Sequence, residues 1–455
     1  MSQPHTLLRR DLGSIGAYAT MIGTLVGAGI FRVTSDAWVT TGASVILGYL
    51  VLSPVILATS VPYAAFASTS LGESPGGEYS HFSETFGDFR LAFCGVWLKI
   101  ISYLGAQAYL SIVFADYLMP LVGLGDQSDA WRTPIALGTL TFFLIIHLFG
   151  VRWFGRIQVA MCVVLAFSIA VLVIPGVFAI KATNYQPFFL HGTSGFLSSL
   201  PMLFFAYAGF ESVAHAAGEV KDSRINLPRV FLRGILLTTA IFLSMSIVTF
   251  GVLPGEVLSK SGAPMADVAA QYLPSSAAWI ITIGALAALA TSINGSMLVP
   301  ARLGLMLARD ELAPKWAGKI STRTRIPWAG LLFCYGVAAT LVLTGQVGLA
   351  LGTAILALTL LYFIHSGSLF VLESRRPDLF KQANESYGRT FLLWSAGLSL
   401  VALGILIGVQ VFDDVGTVLS SNWVARFKEG HLTGTELVVG WGILGALIFR
   451  FSGRK

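Results

Sequence analysis

Charge is scarce in this chain: Asp, Glu, Lys and Arg make up only 11% of its 455 residues, whereas 55% are hydrophobic. With a mean hydropathy of +0.76, that shortage excludes an ordinary soluble domain and leaves a polytopic membrane protein. Cysteine is scarce as well. Cys94, Cys162 and Cys334 all fall in apolar runs, at spacings that fit neither a disulfide framework nor a metal site, so they read as small hydrophobic residues. No HExxH, Cys/His cluster, selectivity-filter repeat or catalytic constellation is present to suggest an intramembrane enzyme or a channel. A Gly/Ser linker or shift of composition is also lacking, so residues 1–455 form one membrane domain. The basic excess, 29 Lys and Arg against 23 Asp and Glu, is dispersed through short loops. Topology explains it better than a nucleic-acid partner. The polar start MSQPHTLLRRDLGS and the long apolar run after it do not fit a cleaved signal peptide, so the first span is expected to stay.

A span needs about 20 apolar residues. Twelve segments meet that requirement, near 12–33, 43–68, 91–119, 133–150, 157–180, 194–219, 230–254, 276–300, 327–344, 346–371, 391–411 and 433–451. The weakest division is the ninth, where only TGQVG (344–348) interrupts the run. Cytoplasmic loops collect Lys and Arg. The two ends and the even-numbered loops hold 20 such residues and the odd-numbered loops hold 5. That asymmetry fits twelve spans with both termini in the cytoplasm.

Two of these segments carry small residues at mid-span. Helix one contains GTLVGAGIF (23–31) and helix six contains AYAGFES (206–212). Gly23 and Gly27 form a GxxxG, which alone fits close helix packing. Together the pair says more, because helices one and six begin two sets of five, and glycine-interrupted segments at corresponding positions point to an inverted-repeat transporter. The repeats would span about 12–180 and 194–371, with two extra helices over about 391–451. Unwinding frees N–H groups that attract a carboxylate and C=O groups that attract an ammonium or a cation. A zwitterion is then held with few charged side chains.

Four segments carry a family resemblance over nearly the whole chain: GTLVGAGIF, SPGGEYSHFSETFG (74–87), FFAYAGFESVAHAAGEVKDSRINLPR (204–229) and PARLGLMLARDELAP (300–314). The chain resembles the amino acid permeases of the amino acid-polyamine-organocation superfamily. That resemblance implies an all-α LeuT-type fold of twelve helices, with helices one and six unwound in mid-membrane and a site reached by alternating access. Thr24, Ala28 and Gly29 would lie at the unwound part of helix one, with the backbone of Ala28 and Gly29 facing the substrate carboxylate. Phe205, Ala208 and Gly209 would meet its ammonium, with Phe205 closing over it. Ser296 stands where some relatives have an aromatic ring, which argues against an aromatic sandwich. Glu211 matches an acid of the inner gate, either proton-linked or simply a cap for freed N–H groups.

Other residues carry two readings each. Lys99 lies nine residues past Arg90, so it either snorkels to the surface or pairs internally, Glu211 being one candidate. Gln107 and Asn294 either line the pocket or bridge helices. Thr291 and Ser292, with the carbonyls of Gly23 and Val26, resemble a Na⁺ site, unless both hydroxyls bond back to their own helix. Leu165 stands where the count from Gly155 would put a lysine that replaces Na⁺ in relatives. Trp97 and Trp279 read as interfacial belt residues. The expectation is an integral plasma-membrane (inner-membrane) transporter of neutral L-amino acids, without a cofactor and coupled to Na⁺, H⁺ or exchange. Cationic amino acids, polyamines or other organic cations are the alternative cargo. Its partners are the small-molecule substrate and the lipid bilayer, with no nucleic acid, and oligomeric state is left open.

Overall fold

The computed structural model describes residues 13–27, 29–73, 77–124, 128–149, 151–215, 220–322, 324, 326–420 and 432–451. Among them only helices, turns and irregular segments occur, without a strand. In hydrocarbon a backbone must satisfy its own N–H and C=O groups, and a helix does so within one segment. Eight helical runs are long and apolar enough to cross a membrane. The first, Gly16–Ser68, takes in the first two segments read from the sequence.

Three other expected segments fall outside those eight, two of them because the helix is broken or short. Segment 194–219 is interrupted, since α8 (Gly192–Phe205) stops after 14 residues and the four-residue α9 (Ser212–His215) follows a turn. Segment 327–344 becomes α14 (Trp328–Leu343), whose 16 residues rise only about 24 Å. Segment 433–451 becomes α18 (Gly434–Phe451), of 18 residues. The weak ninth division is a real turn: α15 (Val347–Arg375) starts four residues after α14 ends, and Gly345 with φ +68° reverses the chain.

The core gathers on α5 (Phe89–Leu121), whose first turn is capped by the Asp88 carboxylate accepting from the Arg90 N–H. Against it pack α13 (Ser275–Arg309), α15 and the short α4 (Glu78–Phe86). α1 (Ser14–Leu25) lies between α10 (Ser223–Val252) and α13. α3 (Val45–Ser68) packs on α8 and α10. The outer helices α7 (Val151–Gly176) and α17 (Arg389–Ser420) expose Phe167, Trp394 and Phe412, as a lipid-facing surface would. Trp97 corrects the sequence reading. It is buried, stacks on Trp441 at 4.3 Å, and the two indoles donate to each other's carbonyls at 2.7 and 2.9 Å. It therefore fastens α18 to α5 and is no belt residue, whereas Trp279 is half exposed.

Candidate substrate site

Helix α1 stops at Leu25, and the chain resumes as a π-type turn over Gly29–Val33 that runs into α2 (Thr34–Thr41). Ala28 lies outside the described residues. α8 stops at Phe205, and turns fill 206–211 before α9. The two interruptions touch. A Cβ on Gly29 would stand 2.5 Å from the Ala206 Cα, and one on Gly209 would stand 2.7 Å from Thr24 Cγ2. Gly209 also holds φ +104°, a region that side-chain-bearing residues rarely enter. Two glycines thus let the broken backbones meet.

The freed backbone groups are partly satisfied locally. The Gly209 N–H donates to Glu211 Oε2 at 3.1 Å. Ala208 N–H donates to the Phe205 carbonyl and Ser212 N–H to that of Gly209, at 2.9 and 3.0 Å. Each carbonyl keeps a second lone pair. Tyr49 and Thr34 donate to the Gly29 carbonyl at 3.1 and 3.3 Å.

Between the interruptions lies a cavity of about 50 Å³, room for more than one water molecule. Thr24, Gly29, Phe205, Ala208, Gly209 and Ser296 line it, and Ser102, Tyr103, Ala106, Leu110 and Leu358 join them. None of the described lining residues is charged. Gln107 is not among them. Its amide donates to the Ser296 carbonyl at 3.2 Å and bridges α5 to α13, and Asn294 likewise bonds Gln158 of α7 at 3.0 Å.

The candidate cation ligands sit where α1 meets α13. Ser292 donates to the Thr24 carbonyl at 3.3 Å, while Thr291 bonds back to the Ala288 carbonyl at 2.7 Å. The Val26 N–H still bonds Ile22 at 2.8 Å. These are hard oxygens of the kind Na⁺ takes, but the Thr291 hydroxyl is engaged with its own helix. The α7 side chains facing Gly23 are Gln158 and Cys162. Leu165 is buried about one turn further along the same helix, and no lysine stands at 158, 162 or 165.

Beneath the cavity is a buried charge cluster. Glu211, fully buried, accepts from Tyr103 at 2.8 Å and, in a very short bond, from Tyr362. Lys99 is 1% exposed, which excludes snorkelling. Its Nζ lies 2.7 Å from Glu78 Oε1 and 3.6 Å from Glu211 Oε1. Tyr63 also donates to Glu78 Oε1, at 2.9 Å. Close by, His81 Nδ1 and His365 Nε2 stand 2.9 Å apart, His81 stacked on Phe66 and His365 on Tyr63. Sequence reasoning gave Glu78, Tyr103, Tyr362 and the histidine pair no role. Tyr103 carried one signal, since it follows Lys99 by four residues and shares its face of α5.

Toward the opposite end of α5 the ion pairs are more open. Arg32 binds Asp36 at 2.9 Å and the Ser261 carbonyl at 2.9 Å. Arg132 forks onto Asp116 with two bonds of 2.7 Å. Tyr109 meets Phe205 edge to face at 6.0 Å between centroids.

An all-helical bundle with a cavity between two interrupted helices suits a membrane permease. The amino acid permease family profile matches residues 12–434, and the chain belongs to that family. A branched-chain amino acid permease, BcaP, of Bacillus subtilis is 26% identical over 82% of this chain and 83% of its own. The methylthioribose transporter of the same organism is 24% identical over 90% and 93%. Cationic amino acid transporter 9, chloroplastic, of Arabidopsis thaliana is 27% identical over 69% and 58%.

Proposed function

We propose that the chain is a secondary active transporter of neutral L-amino acids that works by alternating access. The observation that carries this reading is the small cavity with no charged residue in its described lining, set between two interrupted helices. Carbonyl lone pairs at Phe205 and Gly209 suit an ammonium, and the backbone near Gly29 suits a carboxylate. The side chain then meets Ala106, Leu110, Phe205 and Leu358, which favour an apolar group of modest size. A cationic substrate would need an acid at its distal end. Glu211 is the nearest, and two tyrosines, a backbone N–H and Lys99 already surround it. The names of the relatives span branched-chain and cationic amino acids and methylthioribose, so residues of the cavity decide among cargoes.

The fold we propose has twelve spans, five plus five inverted plus two, with both termini in the cytoplasm; the distribution of Lys and Arg supports it. Glu211 is the gating residue beneath the substrate. For coupling, the oxygens at Gly23, Val26, Thr291 and Ser292 are the candidate Na⁺ ligands, with proton coupling or exchange as the rivals.

The deciding experiment is thermal stabilisation of the purified protein by a panel of amino acids, with and without Na⁺. Leucine, valine and alanine should raise the melting temperature more than lysine or putrescine; a ligand at a hundredfold excess over its Kd stabilises the folded state by about 2.7 kcal/mol. Stabilisation by no amino acid would remove the proposal. If Na⁺ adds nothing and Thr291→Ala leaves uptake unchanged, the cation site is lost while the substrate reading stands.

A further inference from the structure

Away from the substrate cavity, the far end of α13 borders a second and larger opening. Arg309 closes the helix, and Lys315 begins the short turn Lys315–Gly318 that follows it. Both are exposed, and among the described residues neither side chain has an ion pair or a hydrogen bond. They stand on one wall of a groove of about 590 Å³, against about 50 Å³ for the substrate cavity. Leu447 and Ile448 of α18 form the facing wall. Glu311 lines the groove as well, so its described lining holds two cations and one carboxylate.

The basic wall is held by its own backbone. Where α13 ends, the Leu312 N–H returns to the Leu307 carbonyl at 2.7 Å while Glu311 takes a φ of +61°, the closing turn of a Schellman motif. The Ala317 N–H then bonds the Pro314 carbonyl at 2.9 Å, and Ala317 is buried. Asp310, next to Arg309, binds Tyr79 of α4. The end of α13 is thus held on one side and open to the groove on the other.

α18 supplies an apolar track. Val439, Ile443 and Leu447 are all exposed at intervals of four residues, which sets them in one row about 12 Å long. Leu447 brings that row into the groove. Arg450, also exposed, follows Leu447 by three residues, a spacing that keeps the same face of the helix. The opposite face is engaged, since Trp441 and Gly445 pack on Trp97 of α5. The sequence after Phe451, SGRK, adds two cations and no acid.

Cations at one end and an apolar row leading away from them match an amphiphile with a negative head. We propose that the groove binds an anionic phospholipid, its phosphate between Arg309 and Lys315 and an acyl chain along Val439, Ile443 and Leu447. The site rests on the membrane reading above, in which the distribution of Lys and Arg puts this end of α13 in the cytoplasm. The cytoplasmic leaflet is where anionic headgroups attract basic segments. Charge selects among lipids, because a zwitterionic headgroup brings its own cation to a wall that already has two. The apolar row selects a lipid over a soluble anion, which has nothing to lay against it. A bound lipid joins α18 to α13, whose inner ends the groove separates, and α13 carries Ser296 of the substrate cavity.

The test is thermal unfolding of the full-length protein in detergent, without any amino acid, as dioleoylphosphatidylglycerol is added. Dioleoylphosphatidylcholine and inorganic phosphate are the comparisons. The anionic lipid should raise the melting temperature to a plateau; the zwitterionic one should need about tenfold more for the same shift, and phosphate should have no effect. Arg309→Gln combined with Lys315→Gln should raise the half-saturating concentration about thirtyfold, at about fivefold for each cation near a headgroup. Leu447→Asn should also raise it, with both cations in place. Lys381→Gln on α16 (Pro377–Tyr387), an exposed cation that does not line the groove, should respond as wild type does. Equal stabilisation by the two phospholipids overturns the site, and so does an unchanged midpoint in the double variant. A full response to phosphate alone overturns it too, leaving a simple anion site. If the double variant does not fold, Leu447→Asn decides, since an unchanged midpoint there has the same meaning. With no amino acid present, failure of the lipid effect leaves the transport reading standing, and failure of amino acids to stabilise the protein leaves the lipid site standing.

Discussion

Lys99→Met is expected to cost about 3–5 kcal/mol of stability, because it leaves two carboxylates buried without their cation. The hydroxyls of Tyr63, Tyr103 and Tyr362 and the Gly209 N–H, which also bond these carboxylates, are neutral and do not replace the charge. Methionine matches the length of lysine, so packing against Tyr103 is retained and the loss is electrostatic. The measurement is the unfolding transition of the purified protein. Glu78→Gln placed on the Lys99→Met background should restore about half the loss, since only Glu211 then stays charged and it keeps its three donors. A Lys99→Met protein as stable as wild type would show that the cluster already holds enough protons to be neutral without the lysine.

Gly29→Val should abolish uptake, and the reason lies in the geometry of the two interruptions. The first side-chain carbon would stand 2.5 Å from the Ala206 Cα and 3.0 Å from its carbonyl oxygen, distances that backbone atoms cannot relax away as a flexible side chain can. Overpacking of this kind costs about 1–3 kcal/mol or more, and it falls where the two broken helices bound the cavity. Gly138→Ala on α6 (Ser128–Phe149) is the control: nothing lies within 4 Å of the added carbon. It should leave uptake unchanged and stabilise the helix by up to about 1 kcal/mol. Normal uptake of the best stabilising amino acid by Gly29→Val would mean that the close approach is not needed for transport.

The sequence was most informative where one residue type has one structural use. The glycines of GTLVGAGIF and AYAGFES stand where α1 and α8 leave the helical path, because only glycine tolerates the close approach at position 29 and the φ of +104° at position 209. It was silent about partners. Glu78 lies 21 residues from Lys99, and Lys99 in turn lies far along the chain from Glu211, so nothing local announces that they share a pocket. Facing direction was equally hidden, since lipid and protein interior are alike apolar. Gln107 therefore turned out to bridge helices and Trp97 to be buried.

The two ends of the cavity differ in how they meet water, and that difference reaches beyond geometry. Arg32 and Asp36 keep 19% and 26% of their side chains accessible, and Arg132 keeps 35%, against 1% each for Lys99 and Glu78. Mobile ions reach the first set and not the second, over a screening length of about 8–10 Å at ordinary ionic strength. Raising salt should therefore loosen the Arg32 and Arg132 end while leaving the Lys99 end as it is. The protein would then favour opening toward one side, with salt concentration shifting its balance between facing states.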